Sequence, residues 1–252
     1  MKTRIKTSKE LDDMRISGQM LATVLNLLHQ HVSEGMSTLE IADLARNELK
    51  KLGGQPTFLG YLGFPDVICI SINNQVVHGI PSNQCIVHNG DIVSLDFGVT
   101  YNQMITDGAI SFILDQPLKK NHQLLVDRTK NSLLEGISQL KNNVRVGDIS
   151  HAIEKYLGQF GYGIVKDLVG HGVGHHLHEE PNIPNYGYAH QGPVLKTGMT
   201  IAIEPMVTLG TDRVAMLEDG WTIVTEDDSL AAHFEHTVLI LDNSFEILTE
   251  VK

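Results

Sequence analysis

Four carboxylates interrupt apolar, β-branched stretches of this chain. Asp96 lies in IVSLDFGV, Asp107 in MITDGAIS, Glu204 in TIAIEPM and Glu235 in HFEHTVLIL. Runs this rich in Val, Ile and Leu form the interior strands of a sheet. A carboxylate carried into such a strand loses its water, at a cost of about several kcal/mol unless it is paired or bound to a metal. A single acid of this kind is readily a strand end or a polar face. Four together restrict the fold to one whose strands converge on a shared charged interior. Basic residues are sparse around them, so divalent cations are the natural counter-charge.

The rest of the chain supplies the frame. Thr7-Ser8-Lys9-Glu10 and Ser37-Thr38-Leu39-Glu40 both read as capping boxes. The first opens a helix carrying Leu11, Met14, Gly18, Leu21, Leu25, Leu28 and Val32 on one face. The second carries Ile41, Leu44, Ala45, Leu49 and Leu52 and stops at Gly53-Gly54. Strands are expected over 67–72, 92–99 and 105–114. The pattern then repeats at an offset of roughly 110 residues. A helix is expected over 119–142, and a second one, capped by Asp148, runs through Ile149, Ile153, Tyr156, Leu157 and Phe160 to Gly161. Strands follow near 199–207, 221–225, 234–241 and 245–251. Gly90-Asp91-Ile92-Val93-Ser94-Leu95-Asp96 matches Gly198-Met199-Thr200-Ile201-Ala202-Ile203-Glu204 as a glycine, an apolar stretch and a carboxylate. Two related half-domains sharing one core account for this, about 1–115 and 116–252, within a single domain over 1–252.

Composition narrows the function. With 19 Lys+Arg against 30 Asp+Glu the formal net charge is -11, which argues against direct nucleic-acid binding. Two cysteines, Cys69 and Cys85, make neither a disulfide framework nor a thiolate metal clip, and they fit a reducing cytosol. The basic start MKTRIKTSKELDD lacks the apolar core of a secretory signal, and no apolar run is long enough to span a membrane. A soluble, cytoplasmic protein is expected. The stretch Val169–Pro181 holds four of the 13 histidines, His171, His175, His176 and His178, among glycines that let backbone pass close to a ligand. Two Asp, two Glu and an imidazole form an oxygen-rich donor set suited to Mn, Fe(II), Co or Zn. Four negative charges balance two divalent ions, spaced roughly 3.5–4 Å apart in a hydrolytic two-metal site.

The chain resembles the type I methionine aminopeptidases, the bacterial kind without an N-terminal extension. The motifs that carry the likeness run from Asn73-Asn74-Gln75-Val76-Val77-His78-Gly79-Ile80-Pro81 through Ser94-Leu95-Asp96-Phe97-Gly98 and Asp107-Gly108-Ala109. They continue with Gly170-His171-Gly172-Val173-Gly174, His178-Glu179-Glu180-Pro181, Ile203-Glu204-Pro205-Met206, Asp219-Gly220-Trp221-Thr222 and Phe234-Glu235-His236-Thr237. They stand in the family's order over nearly the whole chain. The resemblance implies an α+β pita-bread fold, a curved antiparallel sheet flanked by helices, with pseudo-twofold halves. It implies five metal ligands, Asp96, Asp107, His171, Glu204 and Glu235, with Asp107 and Glu235 bridging two divalent ions. It implies that His78 and His178 contact substrate around the scissile amide and that Glu204 doubles as a proton carrier. The substrates implied are N-termini of nascent proteins near the ribosome, after deformylation, and a monomer is the expected state.

By the same resemblance the methionine side-chain pocket is lined by Phe58, Tyr61, Leu62, Phe64, Cys69, Leu177 and Trp221. Phe58 replaces a usually small residue, Leu62 a usual histidine and Leu177 a usual aromatic, so the strictness of methionine preference is open. His176 also departs from a usually small residue. Other functions compete: an Xaa-Pro aminopeptidase or prolidase, which usually carries an extra N-terminal domain; a metal-free creatinase-like enzyme; and a non-catalytic binding protein on the same fold.

Overall fold

Two capping boxes start the first two helices. In the computed structural model, which describes residues 3–251, α1 (Ser8–His31) begins where the Thr7 side chain accepts from the Glu10 N–H and the Glu10 carboxylate accepts from the Thr7 N–H. The α2 helix (Thr38–Leu52) begins the same way at Ser37 and Glu40 and ends at Gly53, whose φ of 82° favours glycine. Gly18 lets α1 lie against the end of the chain, since a Cβ there would fall 2.2 Å from the Leu248 carbonyl oxygen.

The second helix pair departs from the sequence reading at its edges. The α3 helix (Lys120–Ile137) stops well before 142, although Leu140 still buries its side chain from the turn beyond, which prolongs the apolar spacing. The α4 helix (Val146–Leu157) has Arg145 at its cap. Asp148 is three residues inside, where its carboxylate accepts from the Arg145 N–H at 3.0 Å. Phe160 lies past the helix end, under the Arg128 guanidinium at 3.8 Å from the ring centroid.

Fifteen strands are formed among the described residues. They are β1 (Gln55–Pro56), β2 (Cys69–Ile72), β3 (Gln75–Val77), β4 (Ile92–Tyr101), β5 (Met104–Ile113), β6 (Gly163–Ile164), β7 (Gly170–Gly172) and β8 (Glu179–Ile183), then β9 (Thr200–Ile203), β10 (Met206–Thr208), β11 (Val214–Met216), β12 (Ile223–Thr225), β13 (Ala231–His233), β14 (Glu235–Ile240) and β15 (Phe245–Ile247). The main sheet runs β1-β4-β5-β14-β9-β7-β8, with β2 on β4 and β15 on β14, and its pairings are antiparallel. Two three-stranded sheets, β13-β10-β6 and β11-β12-β3, stand beside it. The strand expected over 199–207 is broken at Glu204-Pro205, where proline lacks the ladder N–H. The Gly- and His-rich stretch, over which no strand was expected, contributes β7 and begins β8.

The backbone repeats itself closely. Ser37 bridges Ile86 as Arg145 bridges Val194. Gly90 and Gly198 both take positive φ, 91° and 83°. The Gly90 N–H donates to the Leu114 carbonyl and the Leu114 N–H to Asp91, as Gly198 donates to Ile240 and Ile240 to Met199. Each helix pair covers its own strands: α1 and α2 pack on Val93, Leu95, Phe97 and Val99, and α3 and α4 on Ile201, Ile203, Val238 and Ile240. Strand alternation then turns Ser94, Asp96, Ala202 and Glu204 to the opposite face.

Candidate metal centre and active site

Register alone gathers the five expected ligands on one face of the sheet. Asp96 on β4 pairs with Ala109 on β5, and Glu235 at the start of β14 pairs with Ala109 from the other side. Asp107 lies two residues before Ala109, on the same face. Ile203 pairs with His236, so the next step places Glu204 beside Glu235. His171 on β7 pairs with Ala202, two residues before Glu204. The small Ala109 side chain leaves space between flanking acids.

The side chains meet in a buried cluster. Single ligand atoms of Asp107, His171 and Glu235 lie within 4.8 Å of one another, as do those of Glu204, His233 and Glu235. The His171 Nδ1 lies 3.0 Å from the Gly172 carbonyl, so Nδ1–H donates and the Nε2 lone pair is left free. That Nε2 is 3.6 Å from Glu204 and 3.9 Å from Asp107. The Asp107 main chain is clamped by Thr237, and the Gly108 N–H donates to its Oδ1. Asp96 Oδ1 and Glu235 Oε1 are buried with no hydrogen-bond partner among the described residues. Buried carboxylate oxygens of this kind call for a cation, and the donor set fits one. Burial lifts Asp96 to about 7. Burial and then the neighbouring acids hold Asp107, Glu204 and Glu235 well above the usual carboxylate range. Burial, with His178 nearby, lowers His171 to about 3, so it is a neutral ligand at pH 7.

A cavity of about 290 Å³ opens onto this cluster. All seven residues expected for the side-chain pocket line it, as do His78, His178 and four of the carboxylates. Phe58, Phe64, Cys69 and Leu177 form a buried apolar group, with Tyr61 and Trp221 packed against it. Leu62 is at the rim, 80% exposed and at a φ of 49°, between Gly60 and Gly63, which also take positive φ. Val77, Leu168, Val169 and Met206 complete the lining and were not read from the sequence. His78 stands edge-on to Trp221, with ring centroids 6.2 Å apart, and burial lowers it to about 4. His178 Nδ1 is 2.7 Å from the Tyr61 hydroxyl, and its ring meets His171 at 4.4 Å.

The histidine-rich stretch is sorted by the fold. His171 and His178 face the site, His175 bonds Glu10 on α1 at 2.8 Å, and His176 is exposed. Glu179 holds this loop by accepting from the His175 and His176 N–H groups and from Lys6 Nζ at 3.0 Å, an ion pair almost wholly withdrawn from water. The missed residue nearest the cluster is His233. Its place two residues before Glu235 was the available signal, because alternation puts both on one face.

The profile of the metallopeptidase family M24 matches residues 12–242. A methionine aminopeptidase of Clostridium acetobutylicum is 44% identical over 245 residues, 97% of this chain and 98% of that protein. The crystal structure of the Thermotoga maritima methionine aminopeptidase superposes with a TM-score of 0.96 at 42% identity, covering 98% of this chain and 99% of that one. The prolidase of Pyrococcus furiosus shares the fold, with a TM-score of 0.78 at 22% identity over 98% of this chain and 66% of its own. With its buried acids converging on an apolar pocket, the chain belongs to the metallopeptidase family M24, among its methionine aminopeptidases.

Proposed function

We propose that this chain removes the N-terminal methionine from newly made proteins and peptides by hydrolysis at two divalent ions held by Asp96, Asp107, His171, Glu204 and Glu235. The whole chain acts as one catalytic unit, with halves about 1–115 and 116–252. The observation that carries the reading is the pair of partnerless buried oxygens, Asp96 Oδ1 and Glu235 Oε1, at the inner end of an apolar cavity. Bound divalent cations supply Lewis acidity, which brings water deprotonation near neutral pH and polarises a carbonyl.

The chain's own residues do the rest. Glu204, 14% exposed at its side chain, is placed to accept the water's proton and pass it to the leaving amine. The Tyr61 phenol donates to His178 Nδ1, which leaves the proton on Nε2. Burial also lowers the His178 pKa, so a neutral Nε2–H is presented to the developing oxyanion. His78, neutral for the same reason, hydrogen-bonds the scissile amide. The apolar wall of Phe58, Phe64, Cys69, Leu177 and Trp221 takes the side chain and excludes water. An internal residue has no free amine to place beside the carboxylates, so cleavage is confined to the terminus, and a formyl group would block it. In the described residues no helix is long and apolar enough to cross a membrane. The same reading sets the enzyme in the cytoplasm as a monomer working on chains at the ribosome.

The test is release of methionine from Met-Ala-Ser by chelated protein reloaded with Mn, Fe(II), Co or Zn. Activity is expected only with metal and is expected to fall at least ~100-fold in Asp107→Asn, because a ligand outweighs the outer-shell partners that cost 10–100-fold. Equal rates on Met-Ala-Ser, Leu-Ala-Ser and Ala-Ala-Ser would refute methionine preference. Cleavage by fully chelated protein would refute the metal reading.

A further inference from the structure

His233 occupies in the second half the place that Asp107 occupies in the first. Asp107 pairs with Gly98, two residues beyond Asp96, and His233 pairs with Met206, two residues beyond Glu204. Their main chains are clamped alike, each by a hydroxyl from the opposite half. The Asp107 N–H donates to Thr237 Oγ1 at 2.9 Å, and the Thr237 hydroxyl donates to the Asp107 carbonyl at 2.8 Å. The His233 N–H donates to Ser111 Oγ at 2.8 Å, and the Ser111 hydroxyl donates to the His233 carbonyl at 2.7 Å.

The ring held this way is 1% exposed, and neither of its nitrogens has a hydrogen-bond partner. An imidazole withdrawn from water with both nitrogens unsatisfied is costly unless something binds it. Its Nε2 lies 3.7 Å from Glu204 Oε2, too far for a hydrogen bond. Two donors on a shared cation at ligand distances near 2.0–2.2 Å stand roughly 3 to 3.6 Å apart, which this spacing approaches. Ligand atoms of Glu204, His233 and Glu235 lie within 4.8 Å of one another.

We propose that His233 is a metal ligand: it joins Glu204 and Glu235 on one of the two divalent cations, beside Asp96, Asp107 and His171 in the same cluster. This rests on the two-cation reading above and adds a second imidazole to it. A second nitrogen donor favours Zn, Co or Fe(II) over Mg or Ca.

The experiment titrates full-length, chelated protein with Co(II), read by calorimetry and visible absorption. Wild type is expected to take two equivalents. His233→Ala and His233→Gln are expected to keep one with unchanged affinity, to bind the other at least ~10-fold more weakly and to lose part of the absorption band. His171→Ala, as reference, is expected to weaken metal binding at this cluster. Glutamine is polar and close in volume, so it decides the matter should the alanine variant lose its fold. Wild-type stoichiometry, affinities and spectrum in the folded His233 variants, beside a defective His171→Ala, would overturn this inference alone. Fewer than two equivalents in wild type would overturn it together with the two-cation reading.

Discussion

The β4–β5 hairpin and its counterpart, β9 and β10 against β13 and β14, share one register and carry different chemistry on it. Asp96 corresponds to Glu204, Asp107 to His233, Ala109 to Glu235 and Ser111 to Thr237. The backbone is duplicated while the charge is not. The first half brings two carboxylates separated from their neighbours by a methyl group. The second brings two carboxylates and both imidazoles of the sheet face, His171 and His233. A symmetric site with Glu at both middle positions would crowd a fifth acid into the interior, and one with Ala at both would lose the residue common to both ligand clusters. The asymmetry sets the number of charges gathered on the face.

Filling the first half to match the second is the strongest way to break this comparison. Ala109→Glu buries another carboxylate between Asp96 and Glu235 and is expected to cost about 3–5 kcal/mol of stability, seen as a large fall in melting temperature or loss of soluble protein. An unchanged melting temperature would mean that the face is open to water. The hydroxyl clamps give a smaller effect and a sharper comparison. Thr237→Val and Ser111→Ala each leave a buried N–H and carbonyl unpartnered, and each is expected to cost about 1–3 kcal/mol in chemical denaturation. Loss from one variant only would show that the two clamps are not equivalent.

The smallest effect is on pH. In chelated protein, burial sets His171 and His233 at about 3, so below 6.5 the unfolded chain takes up protons there that the native protein refuses, while the buried acids hold native protons that the unfolded chain has lost, and the two contributions oppose each other. Above that pH the imidazoles are neutral in both states. The carboxylates act alone there: Asp96, raised to about 7, keeps in the native state a proton that the unfolded chain has lost. Stability therefore falls as pH rises toward and through 7, and Asp96 alone should lower the melting temperature by roughly 1 °C between pH 7 and 8.5. Saturating Mn(II) should remove that slope. A chelated protein whose melting temperature rises over this range would contradict the burial of the acids.

Much of this was legible in the residues. Thr7 with Glu10 and Ser37 with Glu40 announced two helix starts through side-chain chemistry local to the turn. The four acids stood out because apolar strands tolerate them poorly. The seven pocket residues all line the cavity, yet the exposure of Leu62 at its rim depends on a loop of left-handed residues that no periodicity reveals. The β7 and β8 strands were hidden because Gly-His-Gly and Glu-Glu-Pro-Asn carry little β-strand preference. The ends of α3 and α4 were misplaced because Leu140 and Phe160 find partners beyond the helices. His233 was passed over because one histidine at a strand end looks ordinary until its unmet nitrogens are seen.

Lys6 and Glu179 are 173 positions apart in the chain, and their contact ties the order of synthesis to the order of assembly. A nascent copy emerges with its lysine side chain in water long before the acid that will receive it exists. The sheet's first hairpin can form meanwhile, but the loop presenting His178 is seated only when the two distant segments close on each other. On the role proposed for His178, competence would then be expected among the last properties this polypeptide acquires. Clipping its first seven residues should leave a folded scaffold with a slack histidine loop.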